Sequence, residues 1–63
     1  MKKVKDALEL LKNDEWEMVR QKGSHRQFKH PIKKGLLTVA GKPSDDLGPK
    51  TWTSILKQAG LNQ

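Results

Sequence analysis

Two apolar stripes at helical spacing bracket a middle section patterned for strands, and no other feature constrains the fold as much. Val4, Ala7, Leu8 and Leu11 follow the i, i+3, i+4, i+7 rhythm of an amphipathic helix, with Leu10 widening the apolar face and Lys5, Asp6, Glu9 and Lys12 opposite. Trp52, Ile55, Leu56 and Ala59 repeat that rhythm near the other end. Each stripe must cover apolar surface that the middle of the chain supplies.

The boundaries are equally readable. Asn13-Asp14 ends the first helix, because both side chains favour turns by bonding nearby backbone. Gly48-Pro49 opens the second, since proline is tolerated where the helical N–H has no partner anyway, and Gly60 fits the left-handed residue that stops it. Between the helices, residues 16–21 and 25–30 read as a hairpin around Lys22-Gly23-Ser24. Pro31 closes the second strand, Lys33-Lys34-Gly35 makes a tight turn, and residues 36–40 have the strongest β-propensity of the chain.

Residues 41–48 read as a connecting loop. The prediction is an α+β fold, helix, three antiparallel strands, helix, with both helices on one face of the sheet. Leu8, Leu11, Trp16, Val19, Phe28, Leu37, Val39, Trp52, Ile55 and Leu56 are the expected core. Met1, Lys2 and Lys3 at one end, and Asn62-Gln63 at the other, are expected to fray.

Sixty-three residues suit a single domain over residues 1–63. A chain of this size buries only about 60% of its unfolded surface, which leaves no room for a deep cavity. Chemistry is confined to an open surface, against a large partner that provides the other wall. Without cysteine or a long apolar run, neither a disulfide framework nor a membrane segment is expected, and the expected location is cytoplasmic.

Thirteen Lys and Arg against seven Asp and Glu give a net charge of +6, which favours a polyanionic partner, nucleic acid first. The charges are also segregated. Residues 19–35 contain Arg20, Lys22, Arg26, Lys29, Lys33 and Lys34 and no acid.

Within that span, Gly23, Ser24 and His25 lie among Arg20, Lys22 and Arg26. Alternation places His25, Gln27 and Lys29 on the face opposite Phe28, so a core-facing Phe28 turns His25 toward solvent. An imidazole carries protons near neutral pH, and Lys22, Ser24, Arg26 and Gln27 are all placed to reach a phosphate beside it. RNA provides its own nucleophile, the 2′-hydroxyl, so neither metal nor small-molecule cofactor is expected. The two histidines, on opposite faces and with no thiol, make a poor zinc site.

Adjacent Ser24 and His25 diverge on a strand and make a poor hydrolase pair. His30, beside Pro31, is a possible second acid or base, with capping and packing as its alternative. Asp45-Asp46 is expected to end the loop and favour the following helix start. Trp16 and Trp52 are expected in the core rather than as stacking platforms. Lys50, Thr53, Ser54 and Lys57 form a polar face on the second helix whose N-terminus can meet an anion.

Residues 20–25 (Arg-Gln-Lys-Gly-Ser-His), then Phe28, His30-Pro31, the Leu37-Thr38-Val39 strand and residues 54–61 (Ser-Ile-Leu-Lys-Gln-Ala-Gly-Leu) together resemble the HicA toxins of HicAB toxin–antitoxin systems. The resemblance runs in order along nearly the whole chain. It implies a double-stranded-RNA-binding topology and the toxin of a type II system, an mRNA interferase, with the histidine of the Gly-Ser-His motif, here His25, as the catalytic residue. It also implies a HicB-like antitoxin as partner.

One departure stands out. Many members of the family it resembles carry a further histidine in the loop after the third strand, where this chain has Ala40-Gly41-Lys42-Pro43, which leaves the general acid unassigned. The expected function is a metal-independent endoribonuclease with His25 as acid or base, Arg20, Lys22, Ser24, Arg26, Lys29 and Lys50 contacting RNA, and Gly23 shaping the turn. The alternative is a non-catalytic RNA-binding module of the same topology.

Overall fold

The computed structural model describes residues 2–61; Met1 and Asn62-Gln63 lie outside them. The chain runs β1 (Lys2–Lys3), α1 (Val4–Asn13), β2 (Glu17–Lys22), β3 (His25–Lys29), β4 (Leu37–Val39), β5 (Asp46–Leu47) and α2 (Pro49–Gln58). β2, β3 and β4 form a three-stranded antiparallel sheet in that order, the α+β arrangement that the patterning predicts.

β1 and β5, by contrast, correct the sequence reading, which has fraying at Lys2 and Lys3 and a plain loop at residues 41–48. Lys2 pairs with Leu47 and Lys3 with Asp46. The cause lies in the first N–H groups of α1, which have no acceptor within the helix. Val4 N–H donates to the Asp45 carbonyl at 2.9 Å and Lys5 N–H to the Pro43 carbonyl at 3.0 Å.

The Asp6 carboxylate accepts from Lys3 N–H at 2.8 Å, and Lys3 Nζ reaches Asp46 at 2.7 Å. Asp45 closes the loop on itself, its carboxylate accepting from Lys42 N–H at 2.9 Å. Asp45 and Asp46 thus secure the start of α1, whereas α2 begins from Gly48 with Pro49 in its first turn.

Both helices end in the same way. Trp16 N–H bonds to Leu11 O and Glu15 N–H to Lys12 O; Leu61 N–H bonds to Leu56 O and Gly60 N–H to Lys57 O. In each case the turning residue is left-handed, Gly60 at φ 72° and Glu15 at φ 71°. For a glutamate this conformation costs about 1–2 kcal/mol. The turn delivers Trp16 into the core, 4% exposed. Burying roughly 150–250 Å² of indole contributes about 4–6 kcal/mol, which outweighs the strain.

Val4, Ala7 and Leu11 of α1, Phe28, Leu37 and Val39 of the sheet, Ile55 and Ala59, Trp16 and Leu47 make the core. Leu8 and Trp52 pack half-buried against it, and Leu56 is also half-buried. Both helices therefore cover the Phe28 face and leave the other face open. Val19 does not join the core as the alternation predicts: it is 52% exposed. All six residues of β2 are exposed, so this edge strand overhangs the helical layer, and Val19 sits at a break in its pairing.

A polar node joins the ends of both helices to the connection between β3 and β4. The His30 ring is nearly buried, its side chain 6% exposed. Nε2–H donates to the Asp14 carbonyl at 2.7 Å, while Nδ1 accepts from the N–H groups of Ile32 and Lys33, both at 3.0 Å. The ring meets Trp16 edge-on with centroids 5.2 Å apart. Lys33 Nζ donates to the Asp14 carboxylate at 2.6 Å and to the Ala59 carbonyl at 2.7 Å.

The hydrogen bond from Lys33 holds the Asp14 carboxyl below its ordinary value of 3.8, and the Lys3 bond does the same for Asp46. The unfolded chain then binds more protons than the folded one, so stability rises with pH across this window. It is fully present above about 3.8 and lost as pH falls through the lowered folded values. Melting temperature followed by circular dichroism should fall as pH drops below about 4, and less steeply in Asp14→Asn.

Candidate functional site

The open face of the sheet takes its character from one irregularity. Lys22 pairs with His25, Gln21 with Arg26 and Arg20 with Gln27, but the next pair is Met18 with Phe28, which leaves Val19 as the extra residue of a β-bulge. Paired residues in an antiparallel ladder share a face. Phe28 is buried against the helices, so Gln27 and His25 face outward, and Arg20 and Lys22 face outward with them. In strict alternation from Met18, both cations would point the other way.

His25 follows a two-residue turn, Gly23-Ser24. Gly23 has φ 60°, whereas Ser24 has negative φ, which fits the type II′ turn that suits the twist of a hairpin. Glycine is used here because the first central position is left-handed. The Gln21 amide donates to Gly23 O at 3.1 Å and braces the turn from β2.

Arg20, Lys22, His25, Gln27 and Thr38 line a shallow concavity of about 340 Å³ on the open face. Thr38 pairs with Gln27, so Arg20, Gln27 and Thr38 form one row across the three strands. Gln27, expected within reach of a phosphate, is in the concavity, whereas Thr38 does not stand among the contacts expected from the sequence. The signal for Thr38 was available: it is the outward residue between the buried Leu37 and Val39. Lys29 lies further along the same face, opposite Glu17.

The remaining candidates lie elsewhere. Arg26 is half-buried and faces the helical side, where Nη1 donates to the Gly41 carbonyl at 2.7 Å and the Ser24 carbonyl at 3.4 Å. His30 has both ring nitrogens engaged by backbone, away from the concavity. Lys50 lies on α2, beside Pro49, Thr53, Ser54 and Lys57 around a separate concavity of about 460 Å³. Thus Arg20, Lys22 and His25 gather on one surface, and Arg26, His30 and Lys50 do not.

The result is a thin α+β domain with one open sheet face, on which an exposed imidazole stands between basic side chains. Residues 4–61 match the model of the family described as HicA toxin of bacterial toxin–antitoxin systems. The chain belongs to the HicA toxin family, whose members are the toxins of such systems. No individual curated protein matches it in sequence. Among the described residues, no helix is long and apolar enough to cross a membrane.

Proposed function

We propose that this toxin is a metal-independent endoribonuclease that cuts mRNA on the open face of its sheet, with His25 as the proton carrier. The observation that carries this reading is the bulge at Val19, which brings Arg20 and Lys22 onto the face of His25. His25 removes the proton from a ribose 2′-hydroxyl, and the 2′-oxygen bonds to the adjacent phosphorus. The bond to the 5′-oxygen breaks, giving a 2′,3′-cyclic phosphate and a 5′-hydroxyl.

The leaving oxygen takes its proton from water, to which the face is open, because both nitrogens of His30 are already bonded to backbone. A positioned imidazole contributes roughly 10²- to 10⁴-fold, about 3–5 kcal/mol of barrier. A cation about 4 Å from the phosphate adds on the order of 1–4 kcal/mol. Chemistry and charge are thus of similar weight, and Arg20 and Lys22 hold and neutralise the phosphate while His25 moves the proton. Lys29 extends the track for RNA, and Lys50 offers a second contact on α2. A HicB-like antitoxin blocks activity by covering the same face.

The test is end-labelled RNA incubated with purified protein and a chelator. Shortened products with cyclic phosphate ends are expected. Retarded but intact RNA would instead support the non-catalytic RNA-binding module, and a strict magnesium requirement would sink the mechanism.

A further inference from the structure

Arg26 belongs by sequence to the cationic cluster, yet its guanidinium is committed to the protein. Nη1 donates to Gly41 O at 2.7 Å and to Ser24 O at 3.4 Å. Ser24 O also accepts from Gly41 N–H at 3.2 Å. That carbonyl belongs to the peptide joining Ser24 to His25. Two donors therefore fix the plane from which the His25 backbone departs.

The other side of this contact is firm. Gly41 has φ 106°, and a Cβ there would lie 3.3 Å from both Val4 Cγ2 and Asp45 Oδ2. Gly41 is thus pressed against the first residue of α1 and the loop that caps it. Its N–H to Ser24 continues the ladder two residues past the Arg26–Val39 pair. A short turn that would otherwise be held only by β2 is tied through Gly41 to the core.

We infer that Arg26 is a positioning residue rather than a phosphate contact: its guanidinium clamps the Ser24–His25 peptide to Gly41 and so sets the direction of the imidazole. This rests on the reading of His25 as proton carrier. A side chain misplaced by about 1 Å can cost on the order of 100-fold in rate, so a peptide-level clamp is a sufficient control. An RNA contact has a different signature, because each lost phosphate contact on a single strand flattens the slope of log affinity against log salt by about 0.7.

The test compares Arg26→Met, which removes the donors but keeps the stem, and Arg26→Lys, which restores one donor, with the unaltered protein on a short labelled RNA. In Arg26→Met, kcat is expected to fall roughly 10- to 100-fold, with KM and the salt slope of binding unchanged, and Arg26→Lys to recover part of the rate. The Gly41 amide is expected to exchange its hydrogen faster in Arg26→Met. A flattened salt slope with raised KM and unchanged kcat overturns the inference in favour of an RNA contact. Unchanged Gly41 exchange overturns the clamp itself, a result readable even if no form of the protein cuts RNA. If Arg26→Met does not fold, the same measurements on Arg26→Lys decide.

Discussion

His25→Ala is expected to lower RNA cleavage by roughly 10²- to 10⁴-fold and to leave the fold intact. The side chain is exposed at the start of β3, and the turn before it is braced by Gln21 and by the Gly41–Ser24 bond. Alanine disturbs none of these, so the change in stability should stay within about 0.5 kcal/mol. Binding should also survive, since Arg20 and Lys22 remain on the face. The signature is RNA bound with nearly normal affinity and not cut. Cleavage and growth arrest at the unaltered rate would remove His25 from the chemistry.

Leu37→Ala is expected to leave much of the population unfolded at 25 °C. Leu37 is 1% exposed and pairs with the buried Phe28 of the central strand. Truncating such a leucine costs about 2–5 kcal/mol through lost transfer energy and the cavity left behind. A core in a domain this small rarely provides more than about 3–5 kcal/mol in total. Val19→Ala, at a site expected in the core but 52% exposed, should shift stability by less than about 0.5 kcal/mol. Urea denaturation followed by tryptophan fluorescence separates the two. A Val19→Ala loss as large as that of Leu37→Ala would mean that the overhanging edge of β2 is covered by something in solution.

What the chain made legible was its local chemistry. The helical stripes, Pro49 at the start of α2, Gly60 at its end and the glycine turn at Gly23 each depend on neighbours within a few positions, and the structure has them all. The outward placement of His25 followed from the same alternation, once Phe28 was taken as core.

The rest depends on partners far along the chain. Arg26 looks like any other cation until Gly41 appears beside it, and the backbone that His30 caps, the Asp14 carbonyl, lies 16 positions away. β1 and β5 are too short to show a period, so only the needs of the α1 N-terminus account for their pairing. The bulge was hidden for another reason: its residue, a valine, is a good strand former, and nothing in its type announces that it is the odd one out.

That extra residue gives β2 a kind of parity. Between the turn and Val19, even-numbered positions of β2 share a face with odd-numbered positions of β3, and beyond Val19 the correspondence reverses. The side on which Arg20 and Lys22 emerge is decided by how many residues separate them from the turn, not by how many separate them from Trp16. The residue count can change at Val19 and leave the basic face whole. A change at Gln21 would move Arg20 from the imidazole's side of the sheet to the other.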